Sequence, residues 1–315
     1  VNEAVKIQDS AGDLGPAEAA AALETAAQRY RSALTRLPGH AEACYNLATC
    51  LAEQADLKAT AETPAKVVLL RESRASLESV IAADTSGRGA TTALAHHALG
   101  SVICSMVEAF RDHCPTTTAD TTAVPCADCL VPCPSAAECK QELSQACRHL
   151  ETAVSITERL QSQTGELEEI LVHWGDALGS MMQMVMDGGS AGRGAGTSMS
   201  SHGPPPGLVQ EALALCSNAC SKYSAALSTA TSSGGSDTDI LRLKGGAIVN
   251  FLDWALPEAP GPQQPPSGAH RFCGISGIGF APEELLATGE QAVGVLLGLD
   301  SDNVGGLLAK GDLCR

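Results

Sequence analysis

The chain has 315 residues, of which 44% are apolar but only 3% aromatic, and a formal net charge of −16. A chain of this length holds two average domains or one array of repeats. The excess of acidic over basic residues, 36 against 20, excludes a protein that binds nucleic acid by neutralising phosphates, and it favours partners with a basic segment. No apolar run reaches the length of about eighteen residues that indicates a membrane span, so none is predicted.

The 13 cysteines favour a reducing, intracellular location, because several fall inside helical patterns where a small apolar side chain suits a core. These are Cys44, Cys50, Cys104, Cys216 and Cys220. The first residues show neither the basic stretch nor the apolar segment of a signal peptide. The organelle stays open, since a targeting segment removed by processing would leave the same sequence.

Residues 1–15 suggest the end of a first helix. Two further helices and the turn between them are predicted over residues 26–51, where apolar side chains recur at the spacing of one helix face. Pro38 and Gly39 end the first of these two helices. Its apolar face carries Ala26, Tyr30 and Ala33, and that of the following helix carries Cys44, Leu47, Ala48 and Leu51.

This stretch resembles the tetratricopeptide repeat, in which the second helix of a unit reads small-x3-aromatic-x2-Ala-x4-Pro and the next first helix reads bulky-x2-Leu-small-x2-bulky. The resemblance is closest over residues 26–51 and 289–314, where the small residues of the two helices have the same separation. Three longer copies lie between them. They carry Ser73, Leu77 and Val80 before Leu99 and Gly100; Ala146, Leu150 and Ala153 before Trp174 and Gly175; and Ala219, Tyr223 and Ala226 before Gly245 and Ile248.

The resemblance implies an all-α fold, a single domain over residues 1–315 forming a right-handed α-α superhelix of about five helix pairs with long loops on one edge. Second helices are expected over about 17–37, 65–83, 139–161, 208–230 and 282–299, and first helices over about 41–57, 90–111, 166–186, 238–256 and 304–315. Flexible insertions are expected at 112–138, 187–207 and 257–281.

In the resembled family the first helices line a concave groove that holds a peptide or helix of a partner. The resemblance therefore implies a non-enzymatic protein–protein interaction scaffold, or a subunit of a larger assembly, whose partner is another protein. Asn46 matches one position of the carboxylate clamp for acidic chaperone tails, but Tyr45, Leu94 and Ala98 occupy other clamp positions, so such tails are not expected. The groove positions are Glu42, Tyr45, Asn46, Thr49, His97, Ser101, Glu169, His173, Asp176 and Arg242.

A cysteine cluster is the main candidate for metal chemistry. It consists of Cys126, Cys129, Cys133 and Cys139, and the CxxC at its start supplies two of the four ligands of a structural zinc site. The nearby prolines and the lack of a second CxxC argue against zinc. A zinc site, a loop disulfide and an unpaired cysteine-rich insertion therefore all stay open, and a zinc-binding or redox-responsive module over residues 114–147 is an alternative function.

No arrangement of residues predicts an enzyme. The glycine-rich residues 188–196 have no preceding strand and no following Gly-Lys-Ser/Thr, which favours a linker over a phosphate loop. His96 and His97 are adjacent and point to different faces of a helix, so they are not expected to act as a pair of ligands. A further alternative is a regulatory domain of a larger enzyme, with its catalytic part beyond Arg315.

Overall fold

The computed structural model describes residues 1–58, 62–84, 89–113, 134–160, 164–191, 205–230 and 237–255, and the regular structure of these residues is entirely helical. This confirms the predicted all-α class. The helices are α1 (Asn2–Ala11), α2 (Pro16–Arg36), α3 (Ala41–Asp56), α4 (Thr63–Ala83), α5 (Ala90–His113), α6 (Ala136–Leu160), α7 (Thr164–Ala191), α8 (Pro206–Ala230) and α9 (Asp237–Ala255).

Some of the predicted segments fall outside the described residues. They are the helices expected over 282–299 and 304–315, the insertion at 257–281, and the greater part of the insertions at 112–138 and 187–207. Helix α6 begins, and helix α7 ends, inside two of these predicted insertions. Helix α1 forms a full element where the sequence suggested only the end of a helix.

The chain divides into two compact units, Val1–Trp174 and Gly175–Arg315, and each is described by itself. The first unit contains α1 to α6 and the start of α7. The second unit contains the remainder of α7 with α8 and α9.

Local sequence explains the turn between α2 and α3. Helix α2 ends at Arg36 with Leu37 as its C-cap, and Gly39 then adopts a φ of 79°, a left-handed conformation that costs glycine little because it has no Cβ atom. His40 begins the next helix, since its Nδ1 accepts a hydrogen bond of 3.2 Å from the backbone N–H of Ala43. The two helices can therefore fold back on each other.

A capping box begins α6. The Ser135 backbone N–H donates to Glu138 Oε2 at 2.7 Å, and the Glu138 N–H donates to Ser135 Oγ at 3.3 Å. This reciprocal pair satisfies two backbone donors that a helix start leaves without partners.

Small side chains build the core of the first unit. Each helix from α1 to α5 packs on the next one along the chain, and α3 also contacts α5. One cluster joins α1, α2 and α3 around the fully buried Tyr30, and another joins α3 to α6 around Leu77 and Leu99. Because alanine and glycine lie at several contacts, the helix backbones approach closely, as at Gly100, which lies against Leu150.

The second unit repeats this kind of packing. Its core joins the end of α7 to α8 and α9 through Met182, Leu213, Ile248 and Phe251, all of them buried. Gly175 lies directly against the ring of Tyr223.

Within the described residues, α5 is the one helix long and apolar enough to cross a membrane, with a mean hydropathy of 1.3 over an 18-residue window inside Ala90–Asp112. Half of this 18-residue window is buried inside the protein, and Leu99 and Ile103 belong to the core of the first unit. These are the properties of a core helix, so α5 is not a clear membrane span.

Candidate functional site

The outer side of α3 carries four of the predicted groove residues, Glu42, Tyr45, Asn46 and Thr49, here called the α3 stripe. Their spacing of three and four residues places them on one side of the helix. Glu42 is exposed and the other three are half-buried. Thr49 Oγ1 accepts a hydrogen bond of 3.2 Å from Gln8 Nε2, so α1 lies beside the end of the stripe.

Tyr45 stands in an acidic environment. Burial raises the pKa of its phenol, and the negative charges of Glu169, Glu166 and Glu53 raise it further. Burial also raises the pKa of Glu53, although the 3.0 Å hydrogen bond from Gln8 Nε2 opposes this. Carboxylates on α3 and α7 thus act electrostatically on one aromatic side chain, and their negative charge attracts cations.

Four other predicted groove residues, His97, Ser101, Glu169 and His173, lie together and are here called the histidine centre. His97 Nε2 is 2.7 Å from His173 Nδ1, and Ser101 Oγ is 3.1 Å from the same His173 atom. The two rings have centroids 4.9 Å apart. The nearest ligand atoms of His97, Glu169 and His173 all lie within 4.8 Å of one another. Side chains of α5 and α7 therefore place three metal-ligating groups close together.

The electrostatics of the centre keep His97 uncharged at neutral pH. Burial lowers the pKa of its imidazole to about 4, and the positive charge that His173 carries when protonated contributes to the same shift. A nitrogen lone pair of the neutral ring is available to a metal ion or a hydrogen-bond donor.

A second histidine pair lies between α5 and α6. His96 Nδ1 is 2.9 Å from His149 Nδ1, and the ring centroids are 5.1 Å apart. Burial lowers the pKa of both imidazoles. His96 and His97 therefore point to different helices, and each contacts a histidine distant in sequence.

Two predicted groove residues belong to the second unit and have other contacts. Asp176 Oδ1 accepts a hydrogen bond of 2.7 Å from the Tyr223 hydroxyl, which ties α7 to α8. Arg242 is exposed and forms an ion pair of 3.5 Å with Asp239 on its own helix.

Of the predicted cysteine ligands, Cys126, Cys129 and Cys133 lie outside the described residues. Cys139 is a buried residue of α6. Burial raises the pKa of its thiol to about 11, and the neighbouring Glu138 adds to the shift. The described part of the chain therefore shows one member of this set.

Sequence reasoning missed Gln8 and the pairing of distant histidines. Gln8 donates hydrogen bonds to Thr49 and Glu53 and accepts one of 3.0 Å from Tyr30. The sequence of residues 1–15 is only weakly apolar, and it does not indicate these contacts. Glu169 and His173 did carry a signal, because a separation of four residues places two ligands one turn apart on a helix.

No protein-family model matches the chain, and no curated protein matches it.

Proposed function

We propose that the chain is a non-enzymatic helical-repeat scaffold of the tetratricopeptide type, which binds a segment of another protein on a surface of the first unit built by α1, α3, α5 and the start of α7. The observation that carries the proposal is that these non-consecutive helices contact one another in the first unit. Gln8 of α1 bonds Thr49 of α3, α3 contacts α5, and His97 of α5 meets His173 of α7. Odd-numbered helices that contact one another form one layer, as in a stack of helix pairs.

The α3 stripe supplies the chemistry for a basic ligand. Tyr45 offers an aromatic face, and Glu42 lies one turn away on the exposed side of α3. Glu166 and Glu169 add negative charge from α7. A lysine or arginine side chain gains both cation–π and Coulomb energy at such a surface. The net charge of −16 favours approach of the same class of partner.

We therefore propose that the bound segment is basic and belongs to a partner protein, either as a free peptide or as part of a larger assembly. Aromatic side chains at the centre of an interface usually contribute more binding free energy than exposed charges at its rim. Tyr45 is accordingly the residue on which affinity should depend most, and Glu42 is the one that should make affinity depend on salt.

The experiment captures partners of the tagged full chain from an extract of the cells that produce it, and then measures the Kd of a synthetic peptide from the captured protein. Tyr45→Leu keeps an apolar side chain against the core but removes the aromatic face, and it should weaken binding about tenfold. Glu42→Gln should weaken binding less, and its effect should fade as salt is added.

Glu18→Gln is the matched control, because it removes an exposed carboxylate from α2. It should leave the Kd unchanged. If no partner is captured in stoichiometric amount at any salt concentration, or if Tyr45→Leu binds the peptide as well as the unchanged chain does, the proposal is wrong.

A further inference from the structure

We propose that the histidine centre is a zinc site, in which His97 Nε2, His173 Nδ1 and a carboxylate oxygen of Glu169 bind one Zn²⁺ ion. This inference goes beyond the binding of a partner protein and does not depend on it.

The placement of the three ligands is the first argument. Glu169 and His173 are one turn apart on α7, so their side chains project from the same side of that helix. His97 comes from α5, whose residues Leu99 and Ile103 are fully buried in the core. Two ligands from one helix and a third from a firmly packed neighbour form a site that is largely in place before the ion arrives.

The distances are the second argument. Zinc binds imidazole nitrogen and carboxylate oxygen at about 2.0–2.2 Å, which places the ligand atoms of a tetrahedral site about 3.4 Å from one another. The two nitrogens are 2.7 Å apart, and all three ligand atoms lie within 4.8 Å. Side-chain rotations that move the nitrogens apart by about 0.7 Å, and bring in the exposed Glu169, would produce the zinc geometry.

The chemistry of the donor set is the third argument. Two imidazoles and one carboxylate are ligands that Zn²⁺ accepts, and three protein ligands leave a fourth position for water. The Ser101 hydroxyl, 3.1 Å from His173 Nδ1, lies beside the ligand atoms and is placed to bond that water.

The carboxylate of Glu169 places a negative charge within the group itself, which favours a cation. His96 of the same helix α5 also pairs with a histidine, His149, but within the described residues this pair has no third ligating side chain close enough to share an ion. Within the described residues, the group of His97, Glu169 and His173 is the one set of three such side chains close enough to share an ion.

The test uses the full chain after removal of metal with a chelator and reduction of its thiols. Cobalt(II) is titrated first, because its visible absorption reports tetrahedral nitrogen and oxygen ligation, and zinc is then used to displace it. We expect the spectrum of the cobalt-bound protein to lack the thiolate-to-cobalt charge-transfer band that cysteine ligands produce. Glu169→Gln and His173→Gln should each weaken zinc binding at this site at least about tenfold.

His149→Gln is the matched control, since it removes a half-buried histidine from the neighbouring pair, and it should leave zinc affinity unchanged. Glu169→Gln removes an exposed carboxylate at constant size, so its result does not depend on a change in folding. Long-range ¹H–¹⁵N spectra of the imidazoles should show that zinc shifts the signals of His97 and His173.

Two results would overturn the site. One is that Glu169→Gln and His173→Gln bind zinc with the affinity and stoichiometry of the unchanged chain, as expected if the ion is held by cysteines. The other is that the unchanged chain takes up no zinc at an excess of the metal. Capture of the partner protein in the presence of chelator is measured separately, so failure of the zinc site is distinguishable from failure of the proposed scaffold function.

Discussion

Gly175 lies beneath the ring of Tyr223, so that a Cβ atom added to the glycine would be 2.6 Å from Cζ of the ring. The Tyr223 hydroxyl donates to Asp176 at 2.7 Å, which holds the ring in this position. In the first unit, a Cβ added to Gly100 would likewise be 2.6 Å from Cγ of Leu150. In both units, therefore, a large side chain of one helix packs directly against a glycine of the preceding helix.

Replacing Gly175 with alanine should destabilise the second unit by about 1–3 kcal/mol, because the buried ring of Tyr223 cannot move aside without breaking its bond to Asp176. The better helix propensity of alanine, about 1 kcal/mol, offsets only part of this cost. Urea unfolding followed by circular dichroism measures the change in the free energy of unfolding.

Gly179→Ala is the control on the same helix, since no atom lies within 4 Å of the added Cβ. It should raise the free energy of unfolding by up to about 1 kcal/mol. Equal free energies of unfolding for the Gly175→Ala and Gly179→Ala variants would show that the close approach of Gly175 and Tyr223 does not affect stability.

Ser73 provides a second test, at the junction of α3 and α4. Its fully buried hydroxyl donates a hydrogen bond of 2.8 Å to the Ala48 carbonyl oxygen, whereas the Ser76 hydroxyl bonds to Glu72 within α4. Both Ser73→Ala and Ser76→Ala gain helix propensity. Ser73→Ala should nevertheless be less stable than Ser76→Ala by about 1 kcal/mol, because only Ser73 joins two helices. Equal free energies of unfolding would contradict this role.

The second histidine pair predicts a loss of stability in acid. Burial first, and then the charges of His96, Arg74 and Arg148, lower the pKa of His149 from 6.5 to about 4, while Glu78 opposes the shift. A histidine with a lowered pKa binds protons more readily in the unfolded chain. Its contribution to stability is therefore complete above about pH 6.5 and is lost as the pH falls toward about 4.

His149→Gln should make this decline shallower, because the variant has no imidazole to protonate at that position. The measurement is the free energy of unfolding by urea at a series of pH values from about 7 to about 4. The titration of His149 is read from the slope of the free energy of unfolding against pH, and not from its absolute value. An identical slope in the two proteins would mean that the pair does not govern acid stability.

Two cysteines should differ in reactivity. Cys50 is completely buried and donates to the Leu23 carbonyl oxygen at 3.1 Å, and burial raises the pKa of its thiol to about 12. The pKa of Cys220 is lowered instead, because the Cys216 thiol and the positive charge of Lys244 stabilise its thiolate. Iodoacetamide should therefore modify Cys220 well before Cys50 in the folded protein.

Mass spectrometry of the alkylated peptides measures the two rates. Lys244→Gln should slow the modification of Cys220 and leave that of Cys50 unchanged, while in denaturant the two thiols should react alike. Faster alkylation of Cys50 than of Cys220 in the folded protein would contradict the burial of Cys50.

Periodicity predicted the all-α class and several of the buried helix faces, because such patterns depend on residues that are near in sequence. Tyr30, Ala48 and Leu77, all assigned to apolar faces, are fully buried. The contact between His97 and His173 was not predictable, since it depends on how α5 and α7 are aligned along each other. Helix periodicity places each histidine on a face but does not fix which residue of another helix it meets.

The adjacency of His96 and His97 has a mechanical consequence. Their side chains leave α5 about 100° apart around its axis, one toward His149 of α6 and the other toward His173 of α7. A rotation or a slide of α5 would disturb both contacts at once. A movement of α5 therefore couples the two contacts. It cannot loosen the contact with α6 and leave the contact with α7 unchanged.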